Sequence, residues 1–87
     1  MTDDSPLQFP CDFPIKVMGK AAEDFDALVV SLVRRHVADL AEGAVQLRPS
    51  SGGRYVSVTV TIQATSREQL DNLYRELSAH ERVLMVL

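Results

Sequence analysis

The chain has 87 residues, 46% of them hydrophobic, and nine Lys and Arg against twelve Asp and Glu give a formal net charge of -3. That length holds one domain, whose core supports about one sheet and one layer of helices, so self-association would be a ready source of extra burial. The acidic balance argues against a nucleic-acid binder, the single Cys11 excludes a disulfide framework and a thiolate metal site, and no long apolar run or basic leader points to a membrane or to export.

A cytoplasmic, reducing setting is therefore expected. Residues 1–10, M-T-D-D-S-P-L-Q-F-P, are acidic, polar and broken by Pro6 and Pro10, and are expected to form a flexible arm ahead of a single domain over 11–87. Phe13, Ile15, Val17 and Gly19 then alternate with Pro14, Lys16, Met18 and Lys20, which predicts a first strand ending at Gly19. The period changes next. Phe25, Leu28, Val29, Leu32, Val33 and His36 share one helical face, and the helix is expected over about 22–38, with Glu23 and Asp24 at its positive end and Arg34, Arg35 and His36 at its negative end.

Val45 and Leu47 alternate with Gln46 and Arg48 in a short second strand closed by Pro49. Ser50, Ser51, Gly52 and Gly53 make a hairpin turn, and a long third strand follows. In it Val56, Val58, Val60, Ile62 and Ala64 fall on one face, and Tyr55, Ser57, Thr59, Thr61 and Gln63 on the other. A second helix opens at Thr65 or Ser66, since Ser66 with Gln69 and Thr65 with Glu68 both have capping-box spacing. Leu70, Leu73, Tyr74 and Leu77 supply its apolar face, and the segment 83–87 reads as a last strand with Val83, Met85 and Leu87 on one side.

The order β-α-β-β-α-β folds as two split βαβ units with right-handed crossovers. This is an α+β, ferredoxin-like sandwich: a four-stranded antiparallel sheet ordered 4-1-3-2, with both helices on one face.

Chemistry is harder to find. Ser50 to Arg54 has the composition of an anion cradle, but such loops usually feed a helix, and here the loop joins two strands. RNA-recognition modules share this topology and stack bases on aromatics of the third strand; Tyr55 could stack one base, but Ser57 stands where a second aromatic is needed. His36 and His80 have no Cys, Asp or second His at ligand spacing, no thiolate-activating motif surrounds Cys11, and the adjacent Glu23 and Asp24 point in different directions. No nucleophile–base pair or paired-carboxylate arrangement is present, so no catalytic, cofactor-binding or metal-binding residues are assigned and the chain is expected not to be an enzyme.

Two places retain functional interest. Met18, Tyr55, Ser57, Thr59, Thr61, Leu84 and Val86 are expected on the open face of the sheet beside Lys16 and Arg48, a mixed surface with little charge suited to a protein partner or to self-association. The loop after the first strand, with Gly19 and Lys20, is the other, where glycine is the turn residue that lets the strand enter the helix.

Four segments carry a family resemblance: F-P-I-K-V-M-G at Phe13–Gly19, R-R-H at Arg34–His36, R-P-S-S-G-G-R-Y-V-S-V at Arg48–Val58, and M-V-L at Met85–Leu87. In order and spacing the chain from Phe9 to Leu87 resembles the YbeD family of small bacterial proteins of unknown function. The resemblance implies the βαββαβ fold and a structural likeness to the ACT-type regulatory domains of amino-acid biosynthesis. In those domains a glycine after the first strand approaches a small ligand, and Gly19 matches that glycine, although Lys16-Val17-Met18 stands where an acidic or amide residue is expected. The expected function is thus a non-enzymatic bacterial interaction or regulatory module working through its sheet face, with an ACT-like ligand domain as the alternative.

Overall fold

The computed structural model describes residues 8–41, 43–50 and 52–87. The elements are β1 (Cys11–Lys20), α1 (Phe25–Arg34), β2 (Val45–Pro49), β3 (Tyr55–Ala64), α2 (Arg67–Ala79) and β4 (Val83–Val86). The four strands form one antiparallel sheet in the order β2-β3-β1-β4, which is the expected order read from the other edge. Of the expected arm, residues 1–7 lie outside the described residues, and Cys11 already pairs with Ala64.

Alternation in β1 and β3 builds the core. Ile15, Val17, Val56, Val58, Val60, Ile62 and Ala64 meet Phe25, Val29, Leu32 and Val33 of α1 and Leu70, Leu73 and Leu77 of α2. Both helices pack on this one face, over β1, β3 and β4. Leu47 of β2 is in register with Val58 and so shares their side, yet it is 56% exposed because the helices pack over the other three strands.

The first helix is shorter at both ends than its periodicity predicts. Asp24 occupies the N-cap position without a side-chain cap, because its carboxylate accepts two hydrogen bonds from the Arg82 guanidinium at 2.8 and 3.1 Å. At the other end Arg35 N–H and His36 N–H donate to the carbonyls of Leu32 and Val33, three residues back, so the last turn tightens and stops. Ser66 caps α2, its hydroxyl accepting from Gln69 N–H at 3.0 Å, while Gln69 Oε1 accepts from Thr65 N–H at 2.7 Å. The Gln69 amide also donates to the His36 carbonyl at 2.9 Å and ties the start of α2 to the end of α1.

The last strand departs from simple alternation. Val83 pairs with Gly19, Met85 with Met18 and Val86 with Val17, so a bulge inserts Leu84 as an extra residue. Two consequences correct the expected faces. Val86 turns to the core side with Val17 rather than to the open face, and Met85 takes the open face beside Met18. Leu84, at the bulge, is 56% exposed and lies against Lys20, Ala21, Ala22 and Arg82 at the end of the sheet.

Candidate functional site

The open face of the sheet is laid out by register. One row across the strands reads Arg48, Ser57, Met18 and Met85, and the next reads Gln46, Thr59 and Lys16. Leu87 extends the second row, since it exchanges both backbone hydrogen bonds with Lys16, at 2.8 and 3.1 Å. A third row pairs Tyr55 with Lys20 at one end of the face, and Thr61 with Pro14 and Gln63 with Asp12 lead to the other end.

Most of the expected face residues are thus brought together. Met18, Tyr55, Ser57, Thr59 and Thr61 share one surface, Leu84 sits at its corner, and Val86 does not belong to it. Tyr55 is 41% exposed and Met85 50%, whereas Ser57 is only 7% exposed and its hydroxyl donates to the Arg48 carbonyl at 3.3 Å. Ser57 is therefore a spacer between Arg48 and Met18 rather than a contact residue. Met85 is the member that sequence reasoning missed: in an unbroken apolar run, Val83-Leu84-Met85-Val86, period two gives no parity.

Charge is the second property that the pattern understated. Among the described residues, Lys16, Lys20, Arg48 and Arg54 take part in no ion pair, whereas Arg35 meets Glu76, Arg67 meets Asp71 and Arg82 meets Asp24. Lys16 and Arg48 line a shallow depression with Gln46, Ser57 and Thr59. Lys20 and Arg54 line another with Tyr55 and Gly53 at the hairpin end. The carboxylate placed on this face among the described residues is Asp12, four residues before Lys16 at the far end. Despite the net charge of -3, the sheet face thus carries four cations against one carboxylate side chain among the described residues.

The alternative site is built differently from the expectation. Gly19 lies within β1, not in a loop, and is buried. A Cβ added to it would stand 2.5 Å from the Phe25 ring and 2.6 Å from the Arg82 carbonyl, so the room beside this glycine is occupied by the core. Lys20 is exposed and belongs to the cationic face.

The hairpin spends its polar groups internally. Gly53 N–H donates to the Ser50 carbonyl at 3.0 Å, and Tyr55 N–H donates to the Ser50 hydroxyl at 3.2 Å. Gly52 and Gly53 both have positive φ, 89° and 72°, which explains the glycine pair. Ser51, part of the suggested anion cradle, lies outside the described residues.

Elsewhere, His36 Nε2 lies 2.5 Å from Glu76 Oε1, and Arg35 Nη1 lies 2.7 Å from Glu76 Oε2, clasping the two helices. His80 Nδ1 accepts from Arg82 N–H at 3.2 Å, within its own turn. Among the described residues no three His, Cys, Asp or Glu side chains gather at metal-holding distance, and no helix is long and apolar enough to cross a membrane.

Comparison with known proteins agrees with this architecture. A family profile described as protein of unknown function, DUF493, matches residues 4–87. A UPF0250 protein of Paraburkholderia phytofirmans is 49% identical over 85 residues, covering 98% of this chain and 96% of the relative. A UPF0250 protein of Nitrosomonas europaea is 47% identical over 87 residues, with both chains covered completely. Among solved structures, the solution structure of protein HP0495 from H. pylori superposes with a TM-score of 0.73 at 12% identity, over 99% of this chain and 90% of that one. That likeness is one of fold.

Proposed function

We propose that this chain, which belongs to the DUF493 family of proteins of unknown function, is a non-enzymatic cytoplasmic module that docks a protein partner on the open face of its sheet. The observation that carries this reading is the exposed pair Met85 and Tyr55 with the half-buried Met18 beside them, flanked by four cations that form no ion pair among the described residues. Helices cover the opposite face, so this is the side of the sheet on which another chain can be accommodated. Large apolar side chains within a polar rim, with methionine and arginine enriched, have the character of an interface core.

The test uses the full chain and two variants on this face, Thr59→Arg and Met85→Glu, each immobilised and exposed to extract of the source bacterium. Light scattering on the same proteins measures self-association. Docking predicts that both substitutions reduce the captured partner, or the self-association, while circular dichroism stays unchanged. Capture and oligomeric state that are indifferent to both substitutions would sink the reading.

A further inference from the structure

Resting on that docking reading, we propose that the partner is an extended acidic protein segment that carries two carboxylates with an apolar side chain midway between them. Lys16, Met18 and Lys20 alternate along the open side of β1. At about 3.3 Å per residue, the two lysines are borne by backbone positions about 13 Å apart, with Met18 halfway. An extended segment has the same period, so side chains at every second position share one face. A segment reading acid, apolar, acid at those positions matches lysine, methionine, lysine in register.

Each contact point is reinforced by a neighbour. Lys16 shares its depression with Arg48 and Thr59, and Lys20 shares its own with Arg54 and Tyr55. Met18 stands beside Met85 across the β1–β4 pair, which makes a thioether patch that adapts to an apolar side chain. The four cations form no ion pair among the described residues, so an incoming acid has no such pair to break, although Glu81 lines a depression with Lys20. Charge complementarity of this kind sets partner choice and encounter rate more than raw affinity.

A nucleic-acid strand would also answer the charge, but the face offers it little else. Tyr55 is the lone aromatic among the open-face residues of the four strands, too few for a stacking platform.

The test is an NMR titration of the full chain labelled with nitrogen-15, using a heptapeptide with glutamate, leucine and glutamate at alternate positions. A second heptapeptide has glutamine for both glutamates, and a single-stranded oligouridylate is the third probe. The expected result is shift changes confined to residues 16–20, 46–48, 54–59 and 85, with the acidic peptide alone. Lys16→Ala and Lys20→Ala, both at exposed positions, should each weaken binding about two- to five-fold, the measure of an exposed ion pair. Salt should weaken it too, since exposed charges are screened. Equal shifts with the glutamine peptide, shifts on another surface, or binding of the oligouridylate in place of the peptide would each overturn the inference. If partner capture is lost in Met85→Glu but survives the Lys16→Ala, Lys20→Ala double variant, the docking reading stands and the acidic partner falls. If capture survives in all of them, both fall.

Discussion

The ring of Phe25 occupies the space beside Gly19: a Cβ at that position would lie 2.5 Å from both Cε1 and Cζ of the phenylalanine. Strand β1 can run under the start of α1 only because this residue has no side chain. The glycine is thus explained by packing, in a strand and without a positive φ.

Gly19→Ala is accordingly expected to lower stability by about 1–3 kcal/mol, the usual range for overpacking a filled core. Urea denaturation checks it. Phe25→Leu in the same chain should recover part of the loss, and a double-mutant cycle with no coupling between the two sites would contradict the contact.

The Asp24–Arg82 pair sets an acid limit. Two hydrogen bonds from the guanidinium hold the Asp24 carboxyl below its ordinary value of 3.8 and keep Arg82 charged. A folded-state pKa that is depressed gives stability present above the unfolded value and lost as pH falls through the folded one. The difference in urea midpoint between the native chain and Asp24→Asn should therefore be constant near neutrality and shrink below about pH 4. A difference that grows on acidification would have the wrong sign. The pair is exposed and should weaken in salt.

Met85 and Val86 differ in face, and a charge tells them apart. Val86→Asp puts a carboxylate against the core beside Val17 and should cost about 1–3 kcal/mol. Met85→Glu, on the open side, should stay within about 0.5 kcal/mol of the native chain. Thermal melts of the two variants decide, and equal losses would argue against the bulge.

At the start of α2, Ser66→Ala should cost about 1 kcal/mol by removing the acceptor for Gln69 N–H. Gln69→Ala should cost at least as much, because it releases Thr65 N–H and the His36 carbonyl together. Amide exchange should then rise at Thr65, and protection unchanged there would show that the side chain is not the partner.

These four sites also mark how far the sequence could be read. Alternation from Tyr55 to Ala64 and helical spacing from Phe25 to His36 were enough for the order of elements and the sheet, because burial on one face imposes its period on the residues. The capping pair Ser66 and Gln69 was legible for a similar reason, both partners lying within one turn. The bulge at Leu84 was not, since four apolar residues in succession carry no period. Nor was the function of Gly19, whose neighbours Phe25 and Arg82 come from other segments. The cationic face was present in the parity of Lys16, Lys20 and Arg48, but a net charge summed over the whole chain concealed it.

The pairing of β1 with both β3 and β4 has a consequence for the order of assembly. Val17 finds Val58 on one side and Val86 on the other, partners separated from it by 41 and 69 positions. This central strand is made before the other three, and the neighbour on its outer flank, β4, is made last of the four. Until β4 arrives, a nascent chain presents the bare flank of β1 to whatever is nearby, and the contacts that close it are the non-local kind that slow folding. Cells making this protein quickly would be expected to shelter that interval, and truncation before residue 83 would leave it permanently open.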